Sequence, residues 1–361
     1  MTHPPAKVLQ LDALTGLRGL AAWLVVVFHT RVALVHTLPP WLYRIADKGY
    51  LAVDLFFILS GFVLWHAYGE RLAGQGLPGA LRFWWRRLAR IWPLHAVMLG
   101  GCVALALVLA ATGRDTSAYP WQELPLHILL IQNWGFTPRL SWNDPAWSIS
   151  CEMAAYLLFP ALVAIAPWPR LRISALLAVA AGLLGFIALY FGMVGAGSLT
   201  WDVPHTGLAR CLPEFMLGMM LRLLWPHWHD HPLATLTAWA ACLIALALGR
   251  ITAESAVAPI GFAALILALA FGHGWPARLL ASPPLRILGE ISYATYLAHY
   301  LLFTLFKLAF VKGAPLITIP QLGAYLALVL GASFALYHAV EKPAQRRLNA
   351  LLSPPYAPAS A

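Results

Sequence analysis

The sequence predicts an all-α fold: a polytopic integral membrane bundle of about ten transmembrane helices, with both the N- and C-termini cytoplasmic. Three observations carry that prediction. Of the 361 residues 61% are hydrophobic and only 11% charged, about half the charged share of an average soluble domain. Apolar stretches near the roughly 20 residues that cross a hydrocarbon core recur along the whole chain. Most of the 24 Lys and Arg fall in a few short segments on one side of those stretches, as membrane topology demands. A water-soluble core cannot absorb this much apolar surface, whereas lipid can.

Taken in order, spans are expected near 15–36, 49–68, 88–111, 146–167, 171–194, 206–225, 232–249, 255–273, 289–311 and 318–340. The stretch Leu124–Ile131 is too short to cross and sits in the longest loop, so it reads as an interfacial or re-entrant piece. Trp121, Trp134, Trp142 and Trp147 surround it as an aromatic belt would. With the N-terminus inside, Lys7, Arg18, the run from Arg71 to Arg90, Arg170, Arg172, Arg222, Arg278, Arg286 and the last basic cluster all lie on the cytoplasmic side. The net charge of +10 is thus a topology signal and not a nucleic-acid footprint. The first apolar run carries Arg18 and His29 and ends without a cleavage site, so it is expected to stay as helix one. Residues 1–347 form one transmembrane domain, and 348–361 read as a short disordered cytoplasmic tail rich in Pro and Ala. The four cysteines lie in or beside apolar runs and read as small core residues.

Titratable side chains at lipid depth are functional candidates by default, because their burial is costly. Arg18 and His29 lie on one helix, and a rise of 1.5 Å per residue separates them by roughly 16 Å. Arg18 then sits at the cytoplasmic edge and His29 in the outward half. Asp54 and Glu152, on helices entering from outside, reach a similar depth to His29. A neutral His can act as a general base, and a carboxylate beside it can fix its tautomer. Either Asp54 or Glu152 could be that partner. The bland alternative is a histidine that only bonds a neighbouring helix.

The stretch from Arg82 to Pro93 is the second constellation. Part of its charge reflects the positive-inside rule and lipid head groups. Arg87 and Arg90 also share a helix face, and Arg forks grip phosphate bidentately; Arg86 is a further candidate. Ser292 and His299, seven residues apart, can share a face, with Tyr293 beside them. The run His227 to His231 is a loop without supporting cysteines, so no metal site is expected there. Ser60 and Gly61 read as a small-residue helix contact.

Together these segments resemble the membrane-bound acyltransferase-3 family. The run from Leu17 to His29 resembles its first helix, and Gly49 to Phe62, with Asp54, its second. Arg87-Leu-Ala-Arg90 is similar to its Arg-x-x-Arg signature. Trp147-Ser-Ile-Ser-Cys-Glu152 is similar to its Trp-Ser-x-x-x-Glu segment. Ser292 to His299 resembles a late signature, and Glu341-Lys-Pro ends the last helix as in that family.

What the resemblance implies is transfer of an acyl group, usually acetyl, from cytoplasmic acyl-CoA to a sugar hydroxyl outside, in the bacterial inner membrane. Acyl-CoA is then a donor substrate, with no permanently bound cofactor. The family's essential residues map to Arg18, His29, Arg87 and Arg90. The acceptor is expected to be a glycan or a small hydroxylated molecule. The chain is expected to work without the C-terminal periplasmic hydrolase-like domain of longer members. Either the membrane domain completes transfer itself or a separate periplasmic protein receives the acyl group. Two other classes fit the buried charges: a proton-coupled exporter or flippase of a lipid-linked cargo, and a lipid-binding structural subunit of an export complex.

Overall fold

The computed structural model describes residues 11–229, 231–249, 251–311 and 316–352. Among them every regular element is a helix. In chain order they are α1 (Asp12–Thr30), α2 (Pro40–Asp47), α3 (Ala52–Leu64), α4 (Gly76–Ala111), α5 (Leu124–Leu129), α6 (Ala146–Ala164), α7 (Ile173–Met193) and α8 (Val203–Trp228). There follow α9 (Ala234–Leu248), α10 (Glu254–Ala270), α11 (Gly274–Leu280), α12 (Pro283–Glu290), α13 (Ser292–Phe306), α14 (Ile319–Leu336) and α15 (Lys342–Ala350).

The helical membrane bundle stands, but length and apolarity carry fewer crossings than ten. Seven described helical stretches are long and apolar enough, and the pair α10–α11, bent by 85°, is an eighth. α9 is apolar but only 15 residues long. α8 has the length, yet it carries Arg210, Glu214 and Arg222. These charges lie at least partly inside the bundle, so composition alone cannot mark α8 as a span. The short element α5 matches the segment expected not to cross. α15 runs to Ala350, into the stretch read as tail; residues 353–361, like Lys7, lie outside the described residues.

The helices that build the interior meet through glycine. A Cβ on Gly61 of α3 would stand 1.8 Å from the Phe215 carbonyl oxygen of α8, and one on Gly218 would stand 1.9 Å from the Ile58 carbonyl oxygen. The two backbones therefore pack in direct contact, as small residues permit in lipid. α1 meets α12 the same way, with a Cβ on Gly289 falling 1.9 Å from the Thr15 carbonyl oxygen. Elsewhere the bundle turns apolar side chains outward: Leu189, Met193, Leu236, Leu246 and Phe310 are all exposed. A patch of this extent on a soluble protein would aggregate; facing acyl chains it is the expected surface.

The basic stretch lies inside a helix. α4 starts at Gly76 with Pro78 in its first turn, a position where a missing N–H does no harm. Arginine sustains a helix well, so the charges continue α4 where a sequence reading places a loop.

Candidate active site

α1, α3, α4, α6 and α13 line a partly open cavity of about 160 Å³. It gathers Arg18, Arg87, Arg90, Glu152, Ser292 and Tyr293. Arg87 and Arg90 are one turn apart on α4 and share a face, while Arg86, rotated away, is exposed. Arg18 Nη2 donates to Ser292 Oγ at 3.4 Å, and Ser292 donates to the Gly289 carbonyl at 2.7 Å. Arg87 Nη2 donates to Tyr68 Oη at 3.0 Å and its Nε has no protein acceptor. Arg90 pairs with the buried Glu341 at the end of the last span. Glu152 accepts hydrogen bonds from Ser60 and Tyr156, each at 2.6 Å. Three guanidinium groups thus face one cavity against two carboxylates, a charge balance that favours an anionic guest.

Tyr296 lines the cavity wall. Its hydroxyl lies 2.7 Å from Ser148 Oγ, on the same wall, and 3.2 Å from the Pro145 carbonyl. A histidine pair stands next to Tyr296, whose ring centroid is 6.1 Å from that of His299. His299 Nε2 is 3.2 Å from His29 Nδ1, with ring centroids 4.9 Å apart. The proton positions follow from the acceptors. His299 Nδ1 lies 2.7 Å from the Tyr296 carbonyl, so it must donate. In a neutral ring its Nε2 then has only a lone pair and must accept. His29 Nδ1, also 3.0 Å from the Val25 carbonyl, therefore carries the hydrogen. His29 Nε2 is left with its lone pair uncommitted, the form a general base requires.

The carboxylate beside His29 is Asp144, whose charge acts directly on the imidazole. Asp144 lies in the loop just before α6 and accepts a hydrogen bond from Tyr300, which stands edge-on to His29 at 5.5 Å. Burial raises the Asp144 carboxyl above its ordinary range, with His29 and Tyr300 pulling it back. Asp54 is engaged elsewhere: both its oxygens take hydrogen bonds from Arg210 at 2.5 Å, in a fully buried bidentate pair. Glu152 stays in the arginine cavity. Of the two carboxylates expected beside His29, neither touches it.

The structure thus brings Arg18, Arg87, Arg90, Glu152, Ser292 and Tyr293 to one chamber and His29 with His299 to another site. It sends Asp54 to Arg210 and leaves Arg86 outside. Asp144, Tyr296 and Tyr300 escaped the sequence reading. Tyr296 and Tyr300 stand four and eight residues after Ser292, flanking His299 on the same helix. Asp144 stands before a proline at a helix start, where an acidic residue is ordinarily read as a cap.

A sequence profile described as an acyltransferase domain matches residues 11–338. Among curated proteins the chain is 32% identical over 330 residues to the acyltransferase MdmB of Streptomyces mycarofaciens, covering 82% of this chain and 80% of that protein. It is 34% identical over 170 residues to protein 2 in the picA locus of Rhizobium radiobacter, covering 43% of this chain and 82% of that protein. It is 22% identical over 337 residues to a Staphylococcus aureus protein designated a candidate O-acetyltransferase, over 85% of this chain. The chain spans about half the length of that staphylococcal protein (53%). No solved structure matches it. With the profile spanning both the arginine chamber and the histidine pair, the chain belongs to the acyltransferase-3 family and is an acyl-transferring enzyme of the membrane.

Proposed function

We propose that the protein is an O-acyltransferase of the bacterial inner membrane. It takes an acyl group, acetyl in the simplest case, from acyl-CoA entering at the cytoplasmic face. It delivers that group to a hydroxyl of a glycan or small hydroxylated acceptor on the opposite face. The observation that carries this reading is an arginine-lined chamber whose wall residue Tyr296 lies on the same helix as His299, the hydrogen-bond partner of His29. Arg18, Arg87 and Arg90 would favour the anionic donor there, and His29 keeps an uncommitted Nε2 nearby.

In this reading the donor's phosphates lie against Arg87 and Arg90, with Arg18 deeper in the chamber, and the thin pantetheine arm runs toward Tyr296. Swinging Tyr296 aside breaks two hydrogen bonds, each contributing about 1 kcal/mol, so the side chain moves readily once the arm is bound. The acceptor hydroxyl approaches His29 from the Asp144 side. His29 Nε2 removes its proton as the oxygen attacks the thioester carbonyl. The C–O bond forms, the C–S bond breaks, and the proton on His29 passes to the departing CoA sulfur. Asp144 stabilises the imidazolium in between, and His299 keeps Nδ1 as the protonated nitrogen throughout. Asp54 with Arg210 is a scaffold pair in this account, and Glu152 holds Ser60 and Tyr156 along the chamber wall.

The S. aureus relative's designation supports an oxygen acceptor and an acetyl donor. The test is consumption of acetyl-CoA thioester by purified protein in liposomes. Wild type turns over, while His29→Ala loses at least about 100-fold, the usual share of a general base, and Arg90→Ala loses donor affinity. All must remain monodisperse. A wild-type protein that neither binds nor consumes any acyl-CoA overturns the reading.

A further inference from the structure

α7, α8, α9 and α10 border a second cavity, of about 590 Å³ and larger than the arginine chamber. It exists because α9 packs chiefly on α10 and stands off from α7 and α8. Leu217 and Leu221 of α8, Ala238 of α9 and Ala263 and Ala264 of α10 form buried walls. Among the described residues no carboxylate, Lys or Arg lines it, and its only polar side chains are Thr237, His231 and the indole of Trp228. Thr237 already donates to the Ala234 carbonyl at 3.0 Å. Nothing along the walls asks for water, and left empty they forfeit packing. The volume falls within the roughly 300–1,000 Å³ of ligand pockets, so the guest it suits is apolar.

The cavity occupies one half of the bundle's depth. Arg222, near the end of α8, donates to His66 Nδ1 at 2.9 Å, and His66 lies two residues before Tyr68, the partner of Arg87. The Trp228 end of the cavity therefore lies toward the face bearing Arg87. From Trp228 back to Leu217, where the lining stops, α8 rises roughly 16 Å. That is about half of a 30 Å hydrocarbon core, the depth of a single leaflet.

The same end is basic. Phe191, late in α7, clusters with Tyr50 and Leu199, whose carbonyls accept from Arg210 in the first turns of α8. α7 thus runs antiparallel to α8, and its start lies beside Trp228. Arg172 precedes α7 directly, five residues before the lining residue Leu177, and both Arg172 and Arg170 are exposed. His231 Nδ1 accepts from the Leu233 N–H at 3.3 Å, so the neutral ring presents its Nε2 hydrogen outward. An apolar slot one leaflet deep with cations at its mouth matches a chain below a negatively charged head group.

We infer that this cavity seats an acyl chain of an anionic phospholipid from the leaflet on the Arg87 face, its phosphate against Arg170, Arg172 and His231. The lipid then splints the α9–α10 hairpin to α7 and α8. The site needs no acyl transfer, so its test is independent of the proposed function.

The probe is phosphatidylglycerol with a diazirine near the end of one acyl chain, present in trace amounts in phosphatidylcholine liposomes holding the full-length protein. After illumination, labelled peptides are mapped. Label should concentrate on Leu217–Leu224 and Ala263–Leu267. Unlabelled phosphatidylglycerol should displace it at about one-tenth the concentration that added short-chain phosphatidylcholine requires. Ala238→Phe, which fills the slot, should cut the label about tenfold, while Leu236→Phe, on the exposed side of α9, should leave it unchanged. Arg170→Gln with Arg172→Gln should bring the two competitors together; both positions are exposed, so this variant decides even where Ala238→Phe does not fold. Label spread evenly over the outward Leu189, Met193 and Leu246, equal competition by the two lipids in wild type, or wild-type labelling of Ala238→Phe overturns the inference. So does an unlabelled cavity in a protein that runs as a dimer, which would assign the slot to a second copy of the chain.

Discussion

His299 Nε2 faces His29 Nδ1 across 3.2 Å, and with His299 Nδ1 bound to the Tyr296 carbonyl only one placement of protons satisfies both neutral rings. His299 is therefore a positioning residue that acts through His29. Replacing it with Phe should lower kcat by about 10- to 100-fold, a fraction of what His29 itself supplies as a base. The half-saturating acyl-CoA concentration should stay unchanged. Gln at 299 offers an amide oxygen to His29 Nδ1 and should recover part of the rate. A Gln variant as slow as Phe would show that packing alone is at stake.

Asp144 contributes to the pH dependence of the reaction. Burial raises its carboxyl above the ordinary range, near 3.9 for free aspartate, so it keeps its proton to a higher pH than an exposed carboxyl does. Activity that needs the ionised form then rises with pH through that raised value and is lost below it. The acidic limb of the pH–rate profile should lie above the free-aspartate value, and Asp144→Asn should lower the plateau and shift that limb, leaving the part set by the general base His29. An unchanged limb in Asp144→Asn would assign it to another group.

Asp54 and Arg210 form a buried bidentate pair, 0% and 1% exposed at their side chains. Removing one partner strands the other charge, so Arg210→Met or Asp54→Leu alone should destabilise by about 3–5 kcal/mol. The double variant Asp54→Leu/Arg210→Met should recover most of that loss, because two apolar groups replace a pair that was expensive to desolvate. Thermal unfolding in detergent reads all three. Single variants that unfold like wild type would remove Asp54 from the scaffold role.

The α3–α8 contact should tolerate no side chain. A Cβ at Gly61 or Gly218 falls within 2 Å of a facing carbonyl oxygen, so Gly61→Ala and Gly218→Ala force the helices apart. Both should lower the yield of monodisperse protein, whereas Gly182→Ala, on open space in α7, should not. Equal yields would contradict the close packing.

Much of this was legible from residue types. The arginine chamber follows from Arg87 and Arg90 being one helical turn apart and from Arg18 lying at the near end of its helix. His29 stood out because a titratable group at lipid depth is costly. The number of crossings was less legible, since α8 hides its charges inside the bundle and α10 is broken by Gly272 and Gly274, both with positive φ. The partner of His29 was not legible. Asp54 and Glu152 were expected at its depth from their places along their helices, but both bond other neighbours, Arg210 and Ser60 with Tyr156. Asp144 reaches His29 from a loop, whose path no helical periodicity describes.

The central claim is that donor and acceptor meet from opposite faces, with the acyl group leaving the arginine side and arriving on the Asp144 side. Proteoliposomes sorted to a single orientation test it, with labelled acetyl-CoA supplied only to the face bearing Arg87 and Arg90 and the hydroxyl acceptor only to the other. The account predicts labelled ester on the acceptor side, and none when the two substrates exchange faces or when His29 is Ala. Ester formed equally well with both substrates on one face, or with the faces exchanged, would contradict it.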